Sequence, residues 1–286
     1  MHRLLTSLRH FNELVMFQHS IFSLPFIFIA MIVSADGWFG WRLLLLGILA
    51  AITARNFAMG LNRYADREID AKNPRTQNRP SVDGRISSGA VLAFTLLNAL
   101  AFLLVAYFVN ALAFYLALPI LVVLGSYSYF KRFSALAHII LGLSLGLAPI
   151  AGVVAVEAAV PLWSLYLSAG VLFWVAGFDL LYSLQDIEFD KKEGLHSIPS
   201  CLGANNTFRI ARLFHVLTIF FWGLFVMEAD LGVFAAIAVL FSAAMLGYEH
   251  YLVNKDFSKI DRAFFTVNGY LGIIFFGLII IEKALT

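Results

Sequence analysis

The segment that organises the chain runs from Asn62 to Pro80 and reads NRYADREIDAKNPRTQNRP. A second acidic segment, from Asp179 to Pro199, reads DLLYSLQDIEFDKKEGLHSIP. Each segment holds two aspartates four residues apart: Asp66 and Asp70 in the first, Asp186 and Asp190 in the second. On a helix this spacing places both carboxylates on one face. Both segments follow long apolar runs, and the second pair follows the first by 120 residues. The pattern predicts two related halves whose acidic segments form one metal site.

Composition indicates that the chain is embedded in a membrane. Hydrophobic residues make up 61% of it and charged residues only 13%, against roughly 45–50% and about 25% in soluble domains. Several apolar runs reach the roughly 20 residues that a helix needs to cross a bilayer, and they lack the alternation of a membrane β-barrel. We therefore predict an all-α, polytopic membrane protein that contacts lipid and has no nucleic-acid partner. The single cysteine, Cys201, excludes an internal disulfide and a thiolate metal site.

Nine apolar runs predict nine membrane spans. Their approximate limits are 14–34, 42–61, 90–109, 112–129, 135–156, 162–181, 210–227, 231–251 and 263–281. The first run is too long for the apolar core of a signal peptide and contains Gln18 and His19, so we expect it to remain as a span. We expect His19 to be a packing residue and Pro25 to kink this helix. No linker rich in Pro, Gly or Ser interrupts the series, and residues 1–286 are assigned to a single membrane-embedded domain.

The basic residues predict the orientation. Of the 20 Lys and Arg residues, all but Arg42, Arg55 and Lys283 fall in segments reached after an even number of spans. Cytoplasmic segments of membrane proteins carry the excess of Lys and Arg. The N-terminus and both acidic segments are therefore expected on the cytoplasmic side of a bacterial inner membrane, and the C-terminus on the outside.

The chemistry of the acidic segments follows from their charge. Two carboxylate clusters on one membrane face would repel each other unless cations lie between them. Hard oxygen ligands suit Mg²⁺, which usually shares its coordination shell with substrate phosphates, so a diphosphate is the expected partner. Basic residues interleave with the acids and could bind its oxygens. They are Arg63, Arg67, Arg75 and Arg79 in the first segment, and Lys131 with Arg132 at the end of the fourth span.

Three alternatives stay open at this point. Mixed charges at span ends are often only a solvated rim, but here Asn62 and Tyr182 also precede the two DxxxD pairs at matching positions. A transporter with acidic gates would carry ionisable residues near mid-span, whereas nearly all carboxylates of this chain fall at span ends. A structural membrane subunit would leave the paired clusters unexplained.

With these features the sequence resembles the UbiA superfamily of intramembrane prenyltransferases over nearly its whole length. Family members carry NDxxDxxxD after the second helix and DxxYxxxDxxxD after the sixth. The corresponding residues here are Asn62, Asp66, Asp70, Asp179, Tyr182, Asp186 and Asp190, and Lys131 matches the lysine of a YxxxKR segment. Two positions differ from the family pattern. Arg63 replaces the aspartate after the asparagine, and residues 79–84, RPSVDG, replace the more usual RPLPxG.

The resemblance implies a nine-helix bundle that transfers an isoprenoid from its diphosphate to an aromatic ring. Mg²⁺ would neutralise the leaving diphosphate, and its ligands would be Asn62 and four catalytic aspartates, Asp66, Asp70, Asp186 and Asp190. An allylic cation would then form in a dry core, beside the aromatic faces of Tyr127, Tyr129 or Tyr182. The electron-rich acceptor ring would attack this cation.

Within the superfamily the two segments look most like those of quinone-biosynthesis members that prenylate aromatic acids with a polyprenyl diphosphate. The acceptor would be 4-hydroxybenzoate, or a dihydroxynaphthoate in the futalosine route to menaquinone. Arg63 and the GLHSIP ending at residues 194–199 make the second group slightly closer. The haem, chlorophyllide and homogentisate branches remain as alternatives.

Arg55 is the one basic residue predicted well inside a span. It precedes Asn62 by seven residues, two helical turns, and so lies on nearly the same helix face about 10 Å deeper. A guanidinium at that depth needs an anion. We expect Arg55 to bind the acceptor carboxylate or a diphosphate oxygen, and Tyr127, Asp179 and Tyr182 to contribute to the acceptor site. Alternatively, Arg55 pairs with Asp179 or with a carbonyl at a helix end.

Overall fold

The computed structural model describes residues 2–15, 22, 24–256 and 259–286. No strand occurs among them, which confirms the all-α prediction. The helices are α1 His2–Val15, α2 Leu24–Ser34, α3 Trp41–Ala65, α4 Arg67–Lys72, α5 Ser88–Val109, α6 Ala111–Phe130, α7 Ala137–Glu157, α8 Leu162–Tyr182, α9 Ile187–Glu193, α10 Ile198–Glu228, α11 Val233–Lys255, α12 Ile260–Arg262 and α13 Asn268–Leu285. A 3-10 turn, Ser183–Asp186, links α8 to α9, and a π-helical turn, Ala263–Val267, links α12 to α13.

Within the described part of the chain, eight helical segments are long and apolar enough to cross a membrane. They are α3, α5, α6, α7, α8 continued through α9, α10, α11, and α13 with the π turn before it. The chain is therefore an integral membrane protein. These segments coincide with the second to ninth predicted spans, although α10 begins at Ile198 and not near residue 210.

The first predicted span, 14–34, is described only in part. Helix α1 ends at Val15, and the apolar helix α2 begins at Leu24. Residues 16–21, and with them the predictions for Gln18 and His19, lie outside the described residues. Pro25 stands in the first turn of α2, where its missing N–H breaks no helical hydrogen bond. The predicted kink concerned a helix continuing from residue 14, and because residues 16–21 and 23 lie outside the described residues, it stays a prediction.

Polar side chains determine where two of the helices begin. Asn110 separates α5 from α6, and its side chain accepts a hydrogen bond from the backbone N–H of Ala113 at 2.9 Å. Ser197 and Ser200 form a reciprocal capping box at the start of α10. These caps satisfy backbone donors that have no partner within the helix. The capping box also fixes the end of the second acidic segment.

Helix α8 lies inside the bundle, between α7 and α10, because small residues allow a close approach. A Cβ added to Gly142 of α7 would lie 2.4 Å from the carbonyl oxygen of Leu172 in α8. A Cβ added to Gly170 of α8 would lie 2.2 Å from the indole of Trp222 in α10. Such small residues are the usual means by which helices pack closely in lipid.

Large aromatic side chains fill the core around α8. Trp174, Trp222, Phe26 and Phe275 are fully buried and contact one another. The indole N–H of Trp174 donates to Asn268 Oδ1 at 2.7 Å, which satisfies its one polar atom. This packing anchors α8, in whose last turn the second acidic segment begins.

The aspartate pairs of the two acidic segments begin at matching breaks between helices. Helix α3 ends at Ala65 and is followed by Asp66, whose φ and ψ are −94° and 5°. Helix α8 leads through the 3-10 turn to Asp186, whose φ and ψ are −102° and 3°. Each of these aspartates precedes a short helix, α4 or α9, that carries the second aspartate of its pair, Asp70 or Asp190. The shared backbone geometry agrees with two related halves.

Candidate functional site

Asp66 is a buried carboxylate surrounded by donors. Its side chain is only 2% exposed. One oxygen, Oδ2, lies 2.7 Å from Lys131 Nζ and accepts a hydrogen bond from Asn62 Nδ2 at 2.8 Å. The other, Oδ1, is 3.6 Å from Arg132 Nη2 and accepts no hydrogen bond from the described residues. A buried carboxylate persists only when it is paired, and Lys131 supplies that charge from the end of α6.

Asp70 is paired in the same way within its own segment. Arg79 Nη1 lies 2.6 Å from Asp70 Oδ2, and the hydroxyl of Thr76 donates to the backbone carbonyl of Asp70 at 3.0 Å. These bonds fold residues 73–80 back over α4. The loop therefore stays close to both aspartates of the first segment.

Asp186 connects the second acidic segment to the first. Arg75 binds both of its oxygens, Nε to Oδ1 at 3.1 Å and Nη2 to Oδ2 at 2.5 Å. Asn73 Nδ2 donates to Oδ1 as well, at 3.2 Å. Burial lowers the pKa of Arg75, but its hydrogen bond and attraction to Asp186 outweigh this, and the pKa lies above its usual value. The two acidic segments are thus in direct contact, although 111 residues separate Arg75 from Asp186.

Tyr182 and Asp190 complete the second segment. The hydroxyl of Tyr182 accepts a hydrogen bond from Arg75 Nη1 at 3.1 Å, and the guanidinium lies 5.4 Å from the centre of the ring. Asp190 accepts a hydrogen bond from the hydroxyl of Ser197 at 2.7 Å. Tyr182 therefore contacts the same arginine that joins the two segments, while Asp190 contacts the cap of α10.

The other basic residues that were predicted to bind diphosphate oxygens, Arg63, Arg67 and Arg132, have different partners. Arg63 is buried and donates to Asn62 Oδ1 at 2.7 Å and to the carbonyl of Leu14 at 3.3 Å. Arg67 is exposed and donates to the carbonyl of Ser81 at 3.0 Å. Arg132 donates to the last carbonyl of α3. The structure thus brings Lys131, Arg75 and Arg79 directly onto aspartates, whereas Arg67 turns towards the loop backbone.

The aspartates offer the donor chemistry that Mg²⁺ prefers, namely carboxylate and amide oxygens. Across the described residues, however, no group of three or more acidic, His or Cys side chains converges on a common point. The aspartates do not converge because three of the four are each bonded to a basic side chain of the protein itself. The buried Asp66 Oδ1, which accepts no hydrogen bond from the described residues, shows that this carboxylate retains capacity for a cation. The carboxylate and amide oxygens therefore fit Mg²⁺, provided that the aspartates exchange their basic partners for the cation.

A cavity of about 340 Å³ extends from this charged end into the bundle. Its wall along α3 runs from Asn62 to Leu46, about 24 Å at the helical rise per residue. The deeper part is lined mainly by apolar residues of α2, α3, α5, α6 and α7. Among the lining residues, the polar groups near the charged end are Asn62, Arg55, Tyr127, Asp179 and Tyr182. Four residues predicted for the acceptor site thus line one cavity.

Arg55 lines this cavity and contacts a helix end. Its Nη2 donates to the carbonyl of Val15, the last residue of α1, at 3.2 Å. This bond corresponds to the helix-end alternative of the sequence analysis, and it does not by itself exclude a substrate role for Arg55. Asp179, the other alternative partner, instead lies 2.7 Å from His138 Nδ1.

His138 and helix α1 are the parts of the site that sequence reasoning missed. His138 lies on α7, 41 residues before its partner Asp179, inside an apolar run with no motif around it. The sequence analysis placed Leu14 and Val15 at the start of the first span, yet they end the separate helix α1, and their carbonyls bind arginines of α3. Long-range contacts of this kind leave no periodic signal in a single sequence.

The tyrosines differ in their surroundings. Tyr127 and Tyr182 line the cavity, and the ring of Tyr182 lies 4.3 Å from that of Phe264. Tyr129 is 40% exposed and stacks with Arg132 outside the lining of the cavity. Only the first two therefore have rings beside the space where a substrate could bind.

Known proteins share both the sequence pattern and the fold. The model of the UbiA prenyltransferase family matches residues 23–278. A 4-hydroxybenzoate octaprenyltransferase of Saccharophagus degradans is 29% identical over 258 residues, which cover 89% of this chain and 85% of the relative. The apo structure of a UbiA homolog from Aeropyrum pernix K1 has a TM-score of 0.84 at 29% identity, covering 92% of this chain and 98% of that one. A UbiA homolog from Archaeoglobus fulgidus, bound to GPP and Mg²⁺, has the same fold, with a TM-score of 0.76 at 20% identity over 94% and 99% of the two chains.

Proposed function

The chain belongs to the UbiA prenyltransferase family, and from this premise we propose that it transfers a polyprenyl group from polyprenyl diphosphate to an aromatic acid in respiratory quinone biosynthesis. Residues 1–286 act as one prenyltransferase domain in a bacterial inner membrane, with the acidic segments on the cytoplasmic side. The observation that carries the proposal is the junction of the two acidic segments with a long apolar cavity. A polyprenyl diphosphate has two corresponding parts, an anionic head and an apolar tail.

The diphosphate head occupies the acidic segments. Mg²⁺, when bound, supplies the positive charge that stabilises a departing diphosphate. It would be held by Asn62, Asp66, Asp70, Asp186 and Asp190. Lys131, Arg75 and Arg79 neutralise three of these carboxylates in the described structure. With a cation bound to the carboxylates, these three side chains would be able to form charge-assisted hydrogen bonds to the diphosphate oxygens. Arg63 and Arg67 of the first segment and Arg132 after α6 would be further donors.

The cavity holds the tail and keeps the reacting carbon dry. Its deeper part is lined mainly by apolar residues and offers few hydrogen-bond partners that would retain water, which helps to protect an allylic cation from hydrolysis. Tyr127 and Tyr182 place aromatic rings along the wall near the charged end, and such faces attract a cation. The cation therefore lives long enough to meet the acceptor ring.

The acceptor is 4-hydroxybenzoate or a dihydroxynaphthoate. Relatives that carry the name 4-hydroxybenzoate octaprenyltransferase support the first, whereas Arg63 and the GLHSIP ending favour the second. Both acids carry a carboxylate, and Arg55 offers a guanidinium in the cavity wall within reach of the charged end. A bidentate pair with this arginine would fix the ring relative to the allylic carbon.

Purified protein in lipid nanodiscs tests this proposal. Given a polyprenyl diphosphate and a panel of aromatic acids, it should release diphosphate and form a prenylated acid only when Mg²⁺ is present. Asp66→Asn and Asp190→Asn should each lower turnover by more than about 100-fold while the protein stays folded. Asp83→Asn is the matched control, because Asp83 pairs with Arg85 away from the four aspartates. Losses below tenfold in both variants, or no prenylated product from any acid, would contradict the proposal.

A further inference from the structure

Asp179 and His138 form a hydrogen-bonded pair that has no part in the proposed binding of the metal or of the diphosphate. Asp179 stands on α8 one helical turn before Tyr182 and lines the cavity. Its Oδ2 lies 2.7 Å from His138 Nδ1, which comes from α7. Because a carboxylate only accepts hydrogen bonds, the imidazole donates from Nδ1. The pair joins two elements across the wall of the cavity.

The surroundings of His138 distinguish it from a surface residue. It is only 6% exposed, and its second nitrogen, Nε2, is buried and has no hydrogen-bond partner among the described residues. A buried imidazole nitrogen without a partner is costly, so packing alone is a poor reason to hold a histidine here. The one polar contact of this ring in the described structure is the bond that orients Asp179.

Asp179 is also the only carboxylate among the described residues that line the cavity. Asp66, Asp70 and Asp186 are each bonded to lysine or arginine at the charged end, and none of the three lines the cavity. Asp179 is bonded instead to an imidazole, and its side chain keeps 20% of its surface exposed. It is therefore the acidic side chain best placed to receive a proton from a ring bound in the cavity.

We propose that Asp179 is the general base that removes the proton from the prenylated ring carbon, and that His138 is the positioning residue that holds Asp179 for this step. The inference rests on the proposed function, since it assigns the last step of that reaction. The bond between the allylic carbon and the diphosphate oxygen breaks, and its electron pair leaves with the diphosphate. A π-electron pair of the acceptor ring forms the new carbon–carbon bond. The C–H electron pair then returns to the ring, and the proton passes to the Asp179 carboxylate and later to water.

The competing interpretation is that the pair only ties α7 to α8. Asp179→Asn separates the two, because the amide oxygen can still accept from His138 while its basicity is lost. Under single-turnover conditions we expect a rate loss of about 100-fold or more, the usual contribution of a general base. Donor affinity and thermal midpoint should stay near those of the unmodified protein. Asp83→Asn is again the chemically matched control and should show no loss.

The decisive readout is a kinetic isotope effect measured with acceptor deuterated at the carbon that is prenylated. If Asp179 is the base, proton removal becomes slow in Asp179→Asn, and the deuterated acceptor should react several-fold more slowly than the unlabelled acceptor. A merely structural pair would not create such an effect. A single-turnover rate within threefold of the unmodified protein, or a large rate loss without any isotope effect, would overturn the proposal.

His138 has its own test, which also applies if Asp179→Asn fails to fold. His138→Leu removes the donor, whereas His138→Asn keeps an N–H at about the position of Nδ1. We expect a slower single turnover and an isotope effect in the leucine variant, and recovery of both towards the unmodified values in the asparagine variant. Equal behaviour of the two variants would overturn the positioning role. If the unmodified protein prenylates no acceptor at all, the proposed function fails, and that outcome is distinct from these results.

Discussion

At the residue scale, the candidate site depends on charge pairs that cross between segments. Asp66 is almost completely buried, and Lys131 reaches it from the end of another helix. Removing one partner of a buried pair leaves an uncompensated charge and costs several kcal/mol. This dependence gives a physical reason for the alternation of acidic and basic residues in the first segment, because each buried carboxylate needs a positive charge beside it. The proposed function gives the same basic residues a second role, as ligands of the diphosphate.

Arg55 provides a prediction at this scale. If it binds the acceptor carboxylate, Arg55→Ala should raise the acceptor KM by about 10- to 100-fold, the value of one charge-assisted hydrogen bond, and leave donor affinity almost unchanged. Steady-state kinetics with each substrate varied in turn would measure both. Arg42→Ala is the control, because Arg42 lies near the other end of α3 and donates to the carbonyl of Phe108. If donor affinity falls instead, Arg55 binds diphosphate, and if only stability falls, Arg55 has a structural role.

The sequence predicted that the aspartates of the candidate site lie at one end of the bundle, but it did not predict their partners. A spacing of four residues is enough to predict that Asp66 and Asp70 share a helix face. The same spacing says nothing about which cation reaches which carboxylate, and so the bond between Arg75 and Asp186 could not be predicted. His138 was missed for the same reason, since only the packing of α7 on α8 brings it to Asp179.

At the scale of the elements, membrane helices were the most predictable feature. Runs of apolar residues long enough to cross a bilayer have few alternatives to a helix, because unpaired backbone groups are costly in lipid. The eight described spans therefore lie where hydropathy predicted them. Hydropathy missed the first turns of α10 because they carry polar residues such as Asn205 and Asn206. The φ of 77° at Gly203 also interrupts the helix there.

Helix α11 provides a prediction about stability. Its N-terminus has no cap from its own residues; the carboxylate of Glu282 in α13 accepts hydrogen bonds from the N–H groups of Gly232, Phe234 and Ala235 at 2.7–3.1 Å. Glu282 is buried, so Glu282→Ala should lower stability by about 2 kcal/mol. A thermal melt in detergent should show a lower midpoint, with Glu228→Ala, an exposed carboxylate at the end of α10, as the control. An unchanged midpoint in Glu282→Ala would show that this cap contributes nothing.

At the scale of the whole molecule, the two ends of the bundle differ in the charged residues that they carry. The acidic segments, their arginines and Lys131 gather at one end. At the other end Lys283 pairs with Asp36 at 2.7 Å, and Ser34 bonds to Glu157. Two of the three basic residues that departed from the charge pattern, Arg42 and Lys283, belong to this second end, where each is occupied by a bond within the protein.

This separation predicts the orientation in the membrane. Because Lys and Arg are retained on the cytoplasmic side, alkaline phosphatase fused after Thr286 should be active, and the same enzyme inserted in the loop of residues 83–87 should be inactive. A green fluorescent protein at each position should show the opposite pattern. Fluorescence at the C-terminus with inactive phosphatase would mean that the number of spans, or their orientation, differs from the prediction.

The central claim is that the two acidic segments together bind Mg²⁺ and the diphosphate of a prenyl donor. The measurement that tests it most directly is isothermal titration of a non-reactive prenyl thiodiphosphate into the purified protein, with and without Mg²⁺. We expect tight binding only with Mg²⁺, and a loss of more than about tenfold in affinity for both Asp66→Asn and Asp186→Asn, one from each segment. Binding that is equally tight without Mg²⁺, or that survives in either variant, would contradict it.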